Sequence, residues 1–306
     1  MNFLTLKDLG SNLIKEVIDK ALVMKANPEQ YKDEMRDKTL LMIFEKPSLR
    51  TRISFEAGMT KMGGHGIYYD VKTSPLGKGE TIGDTAACAG RYCDIIMARL
   101  FDHEDIIELA DNSRVPVINA LTNFSHPCQI MADLMTIKEK KGKFKGLKVT
   151  FLGDGFNNVT HSLLYGCSMA GINISVGSPK EHMPGKDVVE EAKEYALKSG
   201  SKVEVFNDAK LAVKDADVVY TDTWMSYHIK DEEKEKRVKL FMPFQVNSEL
   251  MQHAKKDAIF MHCLPGYRGF EMTADIIDGK QSVVFDQAEN RLWAQNALIL
   301  KLLGKF

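Results

Sequence analysis

Cysteine is scarce in this chain and shows no pattern. The five cysteines are odd in number and scattered, and no two of them are spaced as C-x-x-C. This distribution argues against a disulfide framework and against a structural zinc site. We therefore expect reduced thiols in a cytoplasmic protein, with no metal site.

Long apolar runs and an excess of one charge are also absent. No stretch approaches the roughly 20 apolar residues that cross a bilayer, and residues 1–8 lack the basic-then-apolar layout of a signal peptide. The formal net charge is -1, which gives no reason to expect nucleic acid or a membrane surface as a partner. The 306 residues, 44% of them hydrophobic, are enough for two α/β domains.

Apolar runs of strand length alternate with helical patterns along the whole sequence. This alternation predicts an α/β fold of two doubly wound parallel-sheet domains, separated by the charged, glycine-bearing segment 141–146. The expected strands are 39–44, 66–69, 94–98, 115–119, 147–152, 172–176, 202–206, 217–221, 258–261 and 282–285. The expected helices are 8–25, 52–62, 79–91, 103–111, 127–140, 157–170, 186–198, 208–214, 230–241 and 288–303.

Polar residues follow several of the expected strands, where open parallel sheets bind their ligands. Residues 48–52 (Ser-Leu-Arg-Thr-Arg) open a helix, so first-turn N–H groups and two guanidiniums favour an anion there. Arg99 follows another strand. His126 and Gln129 open a further helix and can both donate to a carbonyl or anion oxygen.

Two more groups follow strands of the second half. Asp222 is a carboxylate suited to holding an amine, and Cys263 stands where a nucleophile or a polarising contact could lie. Cys128, beside apolar neighbours, is interpreted as a packing residue. The charge run at 231–237 is interpreted as a solvated helix face.

Residues 148–155 imitate the start of a dinucleotide-binding fold. The segment departs from G-x-G-x-x-G because Asn158 occupies the place of the last glycine, and no acidic residue clearly ends the next strand. These departures argue against NAD binding. The paired Asn157 and Asn158 instead suit an amino-acid α-carboxylate or amine.

Taken together, these residues resemble the aspartate/ornithine carbamoyltransferase family over nearly the whole chain. The matching segments follow one another in the family's order. They are 44–52, 79–86, 97–99, 126–129, 153–155, 222–224, 262–265 and 286–291.

The resemblance implies a reaction and an organisation. Carbamoyl phosphate would carbamoylate an amine, with L-ornithine as the expected acceptor and L-citrulline as the product, in arginine metabolism and without metal or organic cofactor. The last helix would return to the first domain, so that 1–142 plus 288–306 bind carbamoyl phosphate and 147–287 bind the amino acid. Relatives are homotrimers or multiples of trimers, and the loop 73–78 would reach a neighbour's active site.

The resemblance also implies roles for individual residues. Cys263 would act as general base beside Asp222, while Arg99 and His126 would polarise the carbonyl; the Leu264–Pro265 bond would be cis. The expected carbamoyl phosphate ligands are Ser48, Leu49, Arg50, Thr51, Arg99, His126, Gln129, Cys263, Leu264 and Arg291. The expected ornithine ligands are Leu121, Asn157, Asn158, Asp222, Ser226 and Tyr227.

Departures from the family pattern leave the amine open. Residues 226–228 read Ser-Tyr-His where many relatives have Ser-Met-Gly, and Phe156 resembles an insertion, so either asparagine after it could bind substrate. Putrescine, lysine or a modified ornithine are alternative acceptors. A non-catalytic metabolite-binding relative is a competing function, against which the retained anion ligands argue. An NAD-dependent oxidoreductase is a more distant one.

Overall fold

The structure is a computed structural model that describes residues 1–73, 79–225 and 231–306. These residues divide into two compact units. The first unit comprises Met1–Glu139 and Glu289–Phe306, and the second unit comprises Lys140–Ala288. No helix in the described part of the chain combines the length and the apolar character that crossing a membrane requires.

The first unit contains a parallel sheet in the order β2-β1-β3-β4. β3 and β4 are buried along their whole length, as expected where crossover helices cover both faces of a sheet. The strands are β1 (Thr39–Phe44), β2 (His65–Asp70), β3 (Ile95–Arg99) and β4 (Val117–Leu121). The helices are α1 (Gly10–Ala26), α2 (Leu49–Lys61), α3 (Ile82–Ala89), α4 (His103–Asn112) and α5 (Pro127–Lys141), the last of which ends in the second unit.

The second unit contains a parallel sheet in the order β7-β6-β5-β8-β9. The order reverses between β5 and β8, which is the kind of switch point where doubly wound sheets bind ligands. The strands are β5 (Lys148–Leu152), β6 (Asn173–Gly177), β7 (Val203–Phe206), β8 (Val218–Thr221) and β9 (Ile259–His262). The helices are α6 (Asn158–Ala170), α7 (Lys186–Ser199), α8 (Ala209–Val213), α9 (Lys234–Phe241), α10 (Ser248–Met251), α11 (Ala274–Ile277) and α12 (Val284–Leu302), which from Glu289 onward belongs to the first unit.

The predicted strand at 282–285 is wrong. Ser282 forms only an isolated bridge with Phe260, and α12 already begins at Val284. The apolar residues Val283, Val284 and Phe285 read as a strand in isolation. Two of them instead make up the first turn of the last helix, where Val284 packs into the core of the second unit. The expected strand 39–44 is present with the same bounds, and the remaining expected strands are present with shifts of one or two residues at their ends.

Candidate functional site

The anion motif lies where β1 leads into α2. Ser48 is the N-cap of this helix; its Oγ accepts a hydrogen bond from the Thr51 N–H at 3.4 Å and donates to Thr51 Oγ1 at 3.1 Å. Thr51 is buried and Arg50 half-buried, whereas Leu49 is exposed. The first turn of α2 therefore offers two hydroxyls, a guanidinium and the backbone donors of a helix N-terminus.

Arg99 is the last residue of β3 and is brought beside this motif by the register of the sheet. It lies opposite Phe44, and its carbonyl oxygen accepts from the Glu45 N–H at 3.0 Å. Its side chain is buried. Lys46, two residues beyond the end of β1, was not predicted as a site residue. Burial and, secondarily, the charge of Arg99 lower the pKa of Lys46 to about 7.

Arg291 on α12 joins the same unit from the far end of the sequence. Its Nη1 donates to Gln129 Oε1 at 2.7 Å, and its Nη2 donates to Thr51 Oγ1 at 3.4 Å. Gln129 Nε2 in turn donates to Asp133 Oδ1 at 2.9 Å. All of these groups are buried. The network fixes the carboxamide and the guanidinium in one orientation before any ligand arrives.

His126 lies immediately before α5 and is buried in the first unit. Burial holds the pKa of its imidazole well below the ordinary 6.5, and the charges of Arg291, Arg99 and Arg50 lower it further. The imidazole is therefore neutral at physiological pH. Three arginines thus act on one neutral imidazole, which is a suitable arrangement for a bound dianion with an adjacent carbonyl oxygen.

Leu121, expected to act through its backbone, is the last residue of β4. Its carbonyl oxygen accepts from the Leu100 N–H at 3.1 Å and keeps a second lone pair for a ligand. Cys128 is a packing residue, as expected. It is fully buried, its Sγ donates to the Asn119 carbonyl at 3.3 Å, and burial raises the pKa of its thiol to about 12.

In the second unit, Asp222 follows β8 directly and meets Cys263, which follows β9. Cys263 Sγ donates to Asp222 Oδ1 at 2.9 Å, and the Thr223 N–H donates to the same oxygen at 2.8 Å. Burial raises the pKa of Asp222, although the hydrogen bonds from these two donors partly oppose the shift. Ligand atoms of Asp222, His262 and Cys263 all lie within 4.8 Å of one another. The pair of adjacent strands thus places a buried carboxyl and a thiol in contact.

His262, the last residue of β9, shapes the turn that follows. Its Nδ1 accepts from the Leu264 N–H at 2.8 Å, so that nitrogen carries no proton. Its Nε2 lies 3.3 Å from Glu271 Oε1. Leu264 has a φ of 59°, and the Leu264–Pro265 peptide bond is cis, as expected.

The two candidate asparagines differ in their environment. Asn157 is the buried N-cap of α6: its Oδ1 accepts from the Thr160 N–H at 2.8 Å. Its Nδ2 has no hydrogen-bond partner within the described ranges. Asn158 is the first residue of the helix and is half-buried. Asn157 is therefore the asparagine whose buried amide donor meets no acceptor among the described residues. Ser226, Tyr227 and residues 74–78 of the expected interface loop lie outside the described residues.

The sequence analysis did not predict the buried Arg237–Asp154 ion pair of the second unit. The charge run on α9 was interpreted as a solvated face, but Arg237 within it is 7% exposed and donates to Asp154 Oδ2 at 2.5 Å. Asp154 lies in the glycine-bearing segment after β5. The sequence signal that could have found this pair is the aspartate of Gly-Asp-Gly, which is buried after a strand and needs a cation.

Comparison with known proteins gives matches over most of the chain. The aspartate/ornithine carbamoyltransferase carbamoyl-P binding domain matches residues 1–139, and the Asp/Orn binding domain of the same family matches residues 145–302. Ornithine carbamoyltransferase of Thermococcus kodakarensis is 53% identical over 270 residues, which are 88% of this chain and 85% of that protein. The Bacillus subtilis ornithine carbamoyltransferase is 51% identical over 304 residues, 99% of this chain and 94% of that protein.

Solved structures agree with the sequence matches. The ornithine carbamoyltransferase from Pyrococcus furiosus has a TM-score of 0.95 at 47% identity, covering 100% of this chain and 97% of that one. The ornithine transcarbamoylase from Giardia lamblia has a TM-score of 0.91 at 42% identity, covering 100% and 98% respectively.

Proposed function

This chain belongs to the aspartate/ornithine carbamoyltransferase family, and we propose that it transfers the carbamoyl group of carbamoyl phosphate to L-ornithine, forming L-citrulline and phosphate. The observation that carries the proposal is the buried network in which Arg291 joins Gln129 and Thr51 in the same unit as neutral His126. The chain is 53% and 51% identical to two ornithine carbamoyltransferases, which supports L-ornithine as the acceptor.

The first unit's residues are proposed to hold carbamoyl phosphate. Ser48, Arg50 and Thr51, with the N–H of Leu49, would bind the phosphate through charge-assisted bonds. Arg99 and His126, with Thr51, would donate to the carbonyl oxygen. A neutral imidazole is suited to this task because it can donate without an extra charge beside the arginines. Gln129 and Arg291 complete the proposed set.

The proposed chemistry is nucleophilic addition to the carbamoyl carbon. The neutral δ-amine of ornithine forms the new C–N bond, and the carbonyl oxygen gains negative charge that Arg99, His126 and Thr51 stabilise more in the transition state than in the ground state. The C–O bond to phosphate then breaks, and phosphate leaves with the electron pair. The nitrogen loses one proton to become the ureido product, and the leaving phosphate gains one.

The second unit's residues are proposed to hold the amine. Asp222 would accept the α-ammonium, and Asn157 would donate its Nδ2 to the α-carboxylate; its unsatisfied donor favours it over Asn158. The carbonyls of Cys263 and Leu264 would accept from the carbamoyl NH₂. Cys263, in its thiolate form, would take the proton from the δ-ammonium before attack. Ser226, Tyr227 and the backbone of Leu121 are carried forward as further ornithine contacts.

The wider setting is also proposed from the family. We expect a homotrimer, or a multiple of trimers, in the cytoplasm, acting on small molecules of arginine metabolism. None of the five cysteines, all of them in the described ranges, forms a disulfide, which fits a reducing compartment.

Citrulline formation from carbamoyl phosphate and L-ornithine tests the proposal, with L-lysine and putrescine run in parallel. We expect kcat/KM for ornithine to exceed that for putrescine by at least about 10³-fold, because putrescine lacks the α-carboxylate and leaves its buried polar partner unpaired. The preference over lysine should be about 10–10²-fold, because lysine differs from ornithine by a single methylene. A clear preference for lysine or putrescine would keep the transferase chemistry and contradict the ornithine assignment. Absence of transfer to all three would contradict the proposed function.

A further inference from the structure

Arg237 is the one buried residue in the charged stretch at the start of α9. Its neighbours Glu235 and Lys236 are exposed, whereas Arg237 is 7% exposed. Its Nη2 donates to Asp154 Oδ2 at 2.5 Å, and its Nε donates to the carbonyl oxygen of Trp224 at 2.8 Å. The planar guanidinium therefore serves two acceptors at once, which an ammonium cannot do with the same geometry.

Asp154, the ionic partner of Arg237, is itself fixed from several sides. Its Oδ1 accepts from the Phe156 N–H at 3.1 Å and lies 3.3 Å from His182 Nδ1. Its carbonyl oxygen accepts from Thr160 Oγ1 at 2.9 Å. Asp154 is therefore anchored to the start of α6 and provides a fixed reference point at the carboxyl end of β5.

Trp224, whose carbonyl Arg237 holds, lies two residues beyond Asp222. Its ring is fully buried and stacks on Phe241 with 5.8 Å between ring centroids. The Arg237 guanidinium lies 4.9 Å from the same Phe241 ring. A Cβ at Gly153 would lie 3.1 Å from Trp224 Nε1. The segment after β8 is thus clamped against the segment after β5, its neighbour in the sheet.

The buried Arg237–Asp154 ion pair adds little to the free energy of unfolding, because both charges lose their hydration on folding. Two desolvated charges return little net free energy, and well-packed apolar residues often stabilise a fold equally well. What the pair supplies is direction: it fixes the backbone that carries Asp222, whose own side chain is held by Cys263 and the Thr223 N–H. A carboxylate that must meet an ammonium at a defined angle benefits from this rigidity.

We propose that Arg237, anchored by Asp154, is a positioning residue for the amine substrate, because it holds the Trp224 carbonyl and thereby sets the direction in which Asp222 presents its carboxylate. Arg237 acts through the backbone of the 222–224 segment and touches no substrate in this role. The inference rests on the proposed function, since it takes Asp222 to be the amine's partner.

Four variants test the inference. Arg237→Lys keeps a cation near Asp154 but loses the fork that also reaches Trp224. The double variant Asp154→Asn/Arg237→Gln removes both charges, so that no unpaired buried charge remains to unfold the chain. Arg237→Gln alone shows the cost of leaving Asp154 unpaired. Lys236→Gln, at the exposed neighbouring position, is the matched control for losing one positive charge on α9.

Steady-state kinetics with both substrates and a thermal melt of each variant give the readout. We expect KM for the amine to rise about tenfold or more in Arg237→Lys and in the double variant, a size typical of small displacements of a binding group. KM for carbamoyl phosphate should stay within about threefold of the wild type, and Lys236→Gln should match the wild type. A merely structural role would lower the melting temperature without this split between the two KM values.

Two results would overturn the inference. One is an unchanged amine KM in a folded Arg237→Lys or double variant; the other is an equal rise in both KM values. Failure of the proposed function can be distinguished from failure of this inference, because the assay of the wild-type enzyme tests the function without any variant. If the wild type uses another amine, the same ratios of variant to wild type are measured with that amine.

Discussion

The Arg291 guanidinium donates to Gln129 Oε1 at 2.7 Å although 162 positions separate the two residues in the sequence. Arg291 Nε also donates to Gln295 Oε1 at 2.9 Å, and Gln295 Nε2 donates to Ser54 Oγ at 2.9 Å. The last helix is therefore bonded to α2 and to α5 through buried polar groups. Buried networks of this kind are strong only when complete, so the anion site depends on residues from three distant segments.

Arg50→Ala should weaken carbamoyl phosphate binding strongly while leaving the fold intact. Loss of a charge-assisted contact worth about 1.5–3 kcal/mol raises the dissociation constant by about 10–10²-fold. Arg52→Ala is the matched control, because Arg52 is partly exposed, pairs with Glu56 at 3.0 Å and stacks on Tyr68. Calorimetric titration of both variants checks the expectation. Equal losses of affinity in the two variants would contradict the assignment of Arg50.

Asp222→Asn should damage use of the amine and spare carbamoyl phosphate. The amide keeps the shape but loses the charge that the ammonium needs, so we expect kcat/KM for ornithine to fall by about 10²-fold or more. Asp208→Asn, in the exposed N-cap of α8, is a matched exchange that keeps its capping bond. Product formation at several concentrations of each substrate provides the test. An unchanged ornithine kcat/KM in Asp222→Asn would rule out the proposed contact.

His126 should make stability depend on pH. Its pKa in the folded state lies well below 6.5 because of burial and the arginines. The unfolded chain therefore binds a proton below that pH and the folded chain does not, so stability is present above 6.5 and is lost as the pH falls. One such group contributes a slope of up to about 1.4 kcal/mol per pH unit. Urea unfolding between pH 5 and 7 should show a flatter slope for His126→Gln; identical slopes would contradict the prediction.

Lys46 should take up a proton when carbamoyl phosphate binds. Burial and Arg99 lower the pKa of its ammonium to about 7, so it is mostly neutral at pH 8, and a nearby dianion favours its charged form. Calorimetry at pH 8 in buffers of different ionisation enthalpy should reveal an uptake of nearly one proton per site. Lys46→Met should reduce this uptake to near zero. Binding heats that do not depend on the buffer in the wild type would exclude the coupling.

Local patterns were sufficient for most of the architecture. The apolar run at 39–44 is a strand over the same residues, and Ser48 caps the helix that was expected to follow it. These features follow from short-range chemistry, namely apolar periodicity and a hydroxyl that accepts an N–H. The failure at 282–285 arises from the same reasoning, because a short apolar run does not distinguish a buried helical turn from a strand.

Burial of charged side chains could not be predicted from local patterns. Arg237 stands in a run of lysines and glutamates that reads as solvent-facing, and only its partner Asp154, 83 positions away, makes burial possible. Lys46 likewise appears as part of a polar loop, and its lowered pKa follows from burial and, secondarily, from the charge of Arg99 on the neighbouring strand. Such pairings form only in the tertiary structure. The burial of Arg237 and Lys46 near the candidate sites therefore could not be predicted from the sequence around them.

The first unit is closed by residues that follow the whole of the second unit in the sequence. Lys140–Ala288 makes up the whole of the second unit, whereas the first still needs Glu289–Phe306 when Ala288 has been added. Domains generally fold as units during synthesis, from the N-terminus onward. Here the order is inverted: a growing chain can complete its proposed amine site before Arg291 reaches Gln129. Until α12 has left the ribosome, the nascent protein lacks Arg291 and therefore the complete proposed anion site.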